Sequence, residues 1–207
     1  MADDIADVAR GRSPVQARSR ERVARILATA TELIAQRGSE HLKMGELAAR
    51  AGVSVGSLYQ YFPDKAAVVR ALAEQISAGS RRCIAEALEP VQTQDQLGRA
   101  FGDLIDLYWS LFQAEPVRRD IWAGAAADKA LMAIELDENR ASGEVLAAAM
   151  LRARPGADPA AVATAAFLVW QLGEAAMRLA VSLPRAEGDA IVAAYRRMSV
   201  DAVLTAG

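Results

Sequence analysis

The segment Gly45-Glu-Leu-Ala-Ala-Arg-Ala-Gly-Val-Ser-Val-Gly-Ser-Leu-Tyr-Gln-Tyr-Phe-Pro-Asp-Lys65 limits this chain more than any other. Its pattern predicts a short helix over residues 44–51, a turn at Gly52, a second short helix over residues 55–61 and a third helix starting near Pro63-Asp64. Ser54 is a natural N-cap, proline is tolerated in a first helical turn, and Asp64 suits the positive end of a helix. Gly52 is expected at positive φ, where a side chain costs on the order of 1 kcal/mol. Leu47, Ala48, Val53 and Leu58 have the spacing to pack the two short helices together. This is the layout of a helix-turn-helix, followed by a helical body about twice its size.

The rest of the chain supports an all-α fold. Hydrophobic residues make up 53 % of the 207 residues but aromatics only 5 %. The apolar surplus is therefore alanine, leucine and valine, and few segments alternate with period two. About nine helices are expected. The first runs from Ser13-Pro14 to about Arg37 on a stripe of Val23, Ile26, Leu27, Ala30 and Ile34, and ends at Gly38. The fourth is about 25 residues long, with Val68, Val69, Leu72, Ile76, Cys83 and Ala87 inward, and suits an element shared by two domains. After the break at Glu89-Pro90, helices are expected at about 94–114, 117–125, 127–154, 160–182 and 185–204. In the first of these Leu97, Phe101, Leu104, Ile105, Tyr108 and Phe112 face inward. Pro155-Gly156-Ala157-Asp158-Pro159 is the clearest loop. The expected domains are residues 13–72 and 73–207.

Charge is unevenly placed. Lys+Arg outnumber Asp+Glu by 11 to 9 over residues 1–80 and are outnumbered 17 to 13 over residues 81–207. Six arginines and one glutamate lie within residues 10–25. Basic charge beside a helix-turn-helix is where nucleic-acid phosphates would be, although a solvated arm is the competing reading. The second short helix is expected to expose Val55, Gly56, Ser57, Gln60 and Tyr61. Glutamine pairs with adenine, serine with several bases, and valine meets a thymine methyl. Ser54, the tyrosine hydroxyls and Lys65 suit phosphate contacts. Core packing competes with surface display for Tyr59 and Phe62, more strongly for Phe62.

The run Leu47-Ala-x-x-Ala-Gly-Val-Ser-x-Gly-x-Leu-Tyr-x-Tyr-Phe-x-x-Lys65 resembles the helix-turn-helix of tetracycline-repressor-type (TetR) transcriptional regulators. The resemblance covers about residues 20–72. It implies a three-helix N-terminal domain, an all-α C-terminal domain that binds a small molecule, and a homodimer. It also implies phosphate contacts from Tyr59, Tyr61 and Lys65, and base contacts from Val55, Gly56, Ser57 and Gln60. The chain departs from the pattern at Lys43-Met44, where the family usually has a threonine that caps the helix and touches phosphate. The cap is lost, at about 0.5–2 kcal/mol, and Lys43 is left as a charged candidate for the phosphate contact.

In the body, Trp109, Phe112, Trp122, Met132, Phe167, Trp170 and Met177 gather bulky groups that suit a pocket for an apolar or aromatic ligand, with Gln171 and Glu174 to orient it. Ordinary core packing competes at each of them. The eighth and ninth helices carry Val162, Ala166, Val169, Ala176 and Leu179, and Ile191, Ala194, Met198 and Ala202. These faces suit a four-helix homodimer interface, with intramolecular packing as the alternative. The expected function is a repressor released from a palindromic double-stranded DNA operator by a small molecule. The alternative is a helical small-molecule-binding protein or an activator with non-specific DNA binding.

Other chemistry finds little support. Gly52-Val-Ser-Val-Gly56 matches the serine-hydrolase elbow, but that motif needs a preceding strand, and the only histidine, His41, lies upstream of Ser54. His41 and Cys83 are too few for a zinc site. With no nucleotide-binding glycine motif, no catalytic residue, metal or cofactor is expected. Cys83 reads as a buried small residue. The acidic N-terminus lacks the features of a signal peptide, and the apolar run over residues 159–173 is short for a bilayer, so a soluble cytoplasmic protein without a membrane partner is expected.

Overall fold

The computed structural model describes residues 14–125 and 128–207; Ser13, Arg10 and Arg12 lie outside them. Among the described residues there are nine α-helices and no strand: α1 (Pro14–Arg37), α2 (Met44–Ala51), α3 (Val55–Tyr61), α4 (Lys65–Leu88), α5 (Gln94–Ala114), α6 (Pro116–Ala125), α7 (Lys129–Ala153), α8 (Pro159–Val181) and α9 (Arg185–Thr205). A single 3-10 turn, Ser39–His41, lies between α1 and α2. The chain divides into two compact units, with the boundary inside α4 between Val69 and Arg70.

The smaller unit is built on α1. Ile26, Leu27, Ala30, Leu33 and Ile34 are buried together with Leu47, Ala48 and Ala51 of α2, Leu58 of α3, and Phe62. The turn between α2 and α3 follows from one residue. Gly52 has φ 66° and ψ 38°, and its N–H bonds back to Ala49 O at 3.3 Å. A Cβ there would meet nothing within 4 Å. The demand for glycine is therefore one of backbone conformation and not of space.

In the larger unit the helix ends are fixed by local chemistry. Thr93 and Gln96 form a reciprocal capping box at the start of α5. Asp128 caps α7 and Asp158 caps α8, where Pro159 occupies the first turn. The last carbonyl of α4 and one in the loop after it are met from far along the chain: Arg152 Nη2 donates to Leu88 O at 2.7 Å and its Nε to Val91 O at 3.2 Å. α8 packs most extensively against α7 and α9, and α5 packs on α9. Leu97, Phe101, Ile105, Leu146, Met150, Val162, Ala166, Met177 and Val203 form the core.

Three expectations change at this level. On α4 the buried line passes through Ser77, Ile84 and Leu88, which leaves Cys83 only half-buried. Val162, Ala166 and Val169 of α8 are buried inside the unit, so they are not available to a second subunit; the exposed large apolar residues of that helix are Leu168, Leu172 and Leu179. α8 as a whole, at 23 residues, is long and apolar enough by length and composition to cross a membrane, because the helix continues past residue 173. It carries the buried Glu174 and packs on two neighbouring helices.

Candidate nucleic-acid interface and a polar cavity

α3 turns one continuous face outward. Val55, Gly56, Tyr59 and Gln60 are exposed, while Leu58 is fully buried and Phe62 nearly so. Those four positions share a face of a 3.6-residue helix, and Leu58 holds the opposite side to the core. Ser54 starts the helix by accepting a bond from Ser57 N–H at 3.1 Å. Its hydroxyl proton remains free to donate. This serine stands between two helices, not after a strand.

Ser57 and Tyr61 are half-buried on the flank toward α1, a difference from the fully outward placement expected of them. Ser19 Oγ donates to the Tyr61 hydroxyl at 3.2 Å, and Arg22 Nη1 donates to Ser57 Oγ at 3.5 Å. The Ser19 bond and the Arg22 charge hold the Tyr61 phenol below its ordinary range. Sequence reasoning saw Arg22 only as one arginine in a basic run. The helical period of α1 sets it beside the second short helix, but only the packing of α1 on α3 singles it out.

Lys43 and Lys65 are both exposed. Lys43 is the N-cap of α2 and makes no side-chain cap bond. Lys65 Nζ donates to Glu40 O at 2.9 Å, and Asp64 Oδ1 accepts from Ala67 N–H at 2.7 Å as the cap of α4.

The larger unit holds a cavity of about 20 Å³. Its wall comes from α4 (Ser77, Ser80, Ile84), α5 (Tyr108), α6 (Trp122), α7 (Glu135, Glu138, Asn139, Ser142) and α8 (Trp170, Glu174). Tyr108 Oη donates to Glu174 Oε1 at 2.5 Å. Burial pushes the Glu174 carboxyl up to about 7, with the Tyr108 bond opposing the rise. Burial also pushes Glu138 up, against the Arg81 charge, and raises the Tyr108 phenol with help from the Glu174 carboxylate.

Of the nine residues expected to form a pocket, Trp122, Trp170 and Glu174 meet here. Met132 and Gln171 line a separate groove with Glu135 and Arg178. Phe112 is fully buried and reaches the floor of another surface depression. Trp109 donates its indole N–H to Asp189 at 2.8 Å, and that bond, first among several, keeps the Asp189 carboxyl low. Arg140 lies over the Phe167 ring at 5.3 Å, and Met177 is core. Sequence reasoning missed Ser77, Glu135, Glu138, Asn139 and Ser142, because acidic residues three apart on a helix read as a solvated face.

An all-α chain with a short, outward-facing second helix after a glycine turn, and a separate helical unit with an internal polar cavity, defines a helix-turn-helix DNA-binding regulator. Residues 26–72 match the family model "Bacterial regulatory proteins, tetR family", and residues 95–205 match "Tetracyclin repressor-like, C-terminal domain". The chain belongs to the TetR family of transcriptional regulators.

Solved structures agree on the fold. A putative TetR-family transcriptional regulator from Mesorhizobium loti superposes with a TM-score of 0.66 at 20 % identity, covering 89 % of this chain and 97 % of that one. One from Pectobacterium atrosepticum gives 0.67 at 23 % identity, covering 88 % and 92 %. RolR, solved in complex with resorcinol, gives 0.63 at 18 % identity, covering 91 % and 95 %. At these identities the likeness is one of fold. No curated protein matches the chain at a significant level.

Proposed function

We propose that this TetR-family regulator is a cytoplasmic repressor that reads a palindromic operator as a homodimer and is released by a small molecule bound in its larger unit. The observation that carries the reading is the uncovered face of α3: Val55, Gly56, Tyr59 and Gln60 stand outward on a helix whose opposite side is anchored by Leu58. In this reading Val55, Gly56, Ser57 and Gln60 approach base edges. Ser54, Tyr59, Tyr61, Lys43 and Lys65 hold phosphates, with Arg22 joining them from α1. Half-sites would lie one helical turn of DNA (~34–36 Å) or more apart.

The proposed coupling is a population shift in which the ligand prefers a conformer that holds DNA poorly. α4 is the candidate carrier. It is one uninterrupted helix that includes Val68 and Val69 of the smaller unit and supplies Ser77, Ser80 and Ile84 to the cavity wall. That RolR was crystallised with resorcinol supports a small-molecule effector for this fold.

The test is operator selection from a random DNA pool, followed by affinity measured against salt. Gln60→Ala is expected to cost about 1–3 kcal/mol per half-site and to relax preference at particular base pairs. Lys65→Ala removes one phosphate contact from each subunit of the dimer, so it should weaken all sequences alike and make the salt slope shallower by about two. Failure to select any sequence would favour a ligand-binding protein with non-specific DNA affinity.

A further inference from the structure

Among the described residues, five buried side-chain polar atoms have no hydrogen-bond partner: Ser77 Oγ, Trp122 Nε1, Glu138 Oε2, Trp170 Nε1 and Glu174 Oε2. Glu138 Oε2 is met by the Arg81 guanidinium at 3.3 Å, which leaves four with neither a hydrogen bond nor an ion pair. All five belong to residues lining the one cavity of about 20 Å³. A buried polar group without a partner costs about 1–3 kcal/mol, and native proteins keep few of them. Four around one chamber point to a partner that arrives from outside.

From this concentration we infer that the cavity takes a neutral, hydroxyl-bearing small molecule, with its hydroxyl among Ser77, Trp122, Trp170 and Glu174 and its apolar body against Leu104, Leu107 and Leu111. The inference rests on the reading of the larger unit as effector-binding. The donor and acceptor inventory selects the class. The two indole N–H groups only donate, the carboxylate oxygens accept, and the serine does both. An ammonium group leaves both indoles without acceptors. Above about pH 7, where Glu174 is ionised, an anion leaves its oxygens without donors and meets its charge. A hydrocarbon satisfies none of them. A hydroxyl both donates and accepts, and it has the size of the single water that such a chamber holds.

Charge agrees. Each of the three arginines bonded to the wall or its neighbours already pairs with a carboxylate: Arg81 with Glu138 at 3.3 Å, Arg118 with Glu115 at 3.1 Å and Arg178 with Glu135 at 2.9 Å. Glu174 is left with the Tyr108 hydroxyl as its partner. An adjoining chamber of about 30 Å³ shares Ser80, Ile84, Tyr108 and Trp170 with the first and is otherwise lined by Cys83, Leu104, Leu107 and Leu111. A resident water would fill the polar chamber equally well. The apolar chamber beside it is what favours a hydroxyl carried on a hydrocarbon body. Both chambers are small against the ~150 Å³ that a benzene-sized guest occupies, so a ring-sized ligand must part the wall of Ile84, Tyr108 and Trp170 that the chambers share.

Calorimetry on the full chain without DNA, at about pH 8 where most of Glu174 is ionised, tests this. The probes are phenol and the slimmer butan-1-ol, against toluene, benzylammonium and benzoate as matched controls. At least one of the two hydroxyl compounds should bind tenfold or more tightly than every control. Trp122→Phe and Trp170→Phe, which keep an aromatic ring but remove an N–H, should each weaken that compound about tenfold and leave toluene unchanged. Equal or tighter binding of benzylammonium or benzoate, no binding of either hydroxyl compound, or unchanged affinity in both tryptophan variants overturns the inference. Operator release, measured separately by fluorescence anisotropy, keeps the two readings apart. Release by a compound of another class while neither hydroxyl probe binds overturns the hydroxyl assignment and leaves the repressor standing. Hydroxyl binding with the tryptophan dependence but without release supports the assignment and tells against induction through this cavity.

Discussion

Glu174 is the residue at which burial and ionisation conflict most directly. The residue is 6 % exposed, and its carboxyl accepts a hydrogen bond from Tyr108 and is held at about 7 against an ordinary value of 4.5. A carboxyl raised in this way favours the folded state in full below pH 4.5, and the advantage is lost as pH climbs through about 7. The difference is worth on the order of 2–3 kcal/mol between pH 5 and pH 8. Glu138, raised for the same reason, adds a background of the same sign. Glu174→Gln keeps an acceptor for Tyr108 and cannot ionise. Urea denaturation should therefore show the wild type losing about 2–3 kcal/mol more than the variant between pH 5 and pH 8. Parallel losses would mean that Glu174 does not titrate in that window.

At the level of helices, the approach of α7 to α8 depends on Gly143. A Cβ built there would lie 3.1 Å from Phe167 Cα and 3.2 Å from Phe167 N, both backbone atoms that cannot step aside alone. Two effects then oppose each other in Gly143→Ala. Alanine in a helix interior gains up to ~1 kcal/mol over glycine, while overpacking costs about 1–3 kcal/mol. Overpacking should win, and the variant should melt below the wild type; an equal or higher Tm would show that the two helices separate at little cost. The boundaries of α2 and α3 were legible because their signals are local: Ser54 and Gly52 each act within one turn. At α8 the sequence reading extends the loop through Asp158 and Pro159, which are the N-cap and first residue of the helix. The polar cavity was not legible in the same way. Glu135 and Glu138 find their arginines at Arg178 and Arg81, more than forty residues away in either direction, and no local pattern announces such a pairing. α8 shows the same limit. Its periodicity separates two apolar faces, one through Val162, Ala166 and Val169 and one through Leu168, Leu172 and Leu179, but periodicity does not say which lies inside. The Lys43 departure was legible as a lost cap, and α2 indeed begins without one.

For the molecule as a whole, the outward face of α8 bears on assembly. Leu168, Leu172, Ala175 and Leu179 recur at spacings of four, three and four, and the three leucines are each about half exposed. A stripe of this kind suits a neighbour, and a second copy of the chain is the neighbour that a two-fold operator reader requires. Met198 of α9, the most exposed large apolar side chain at 72 %, is the corresponding candidate on the second helix proposed for the interface. Leu172→Glu places a charge in the middle of the stripe at a position that is 51 % exposed. If the proposed homodimer uses this face, sedimentation should show the variant as monomer at concentrations where the wild type sediments as dimer, with its helical content unchanged. The consequence for DNA follows from counterion release: a single subunit neutralises half the phosphates, so the slope of log affinity against log salt should fall to about half that of the wild type. A variant that remains dimeric, or a monomer that keeps the full slope, would show that operator reading does not depend on this face of α8.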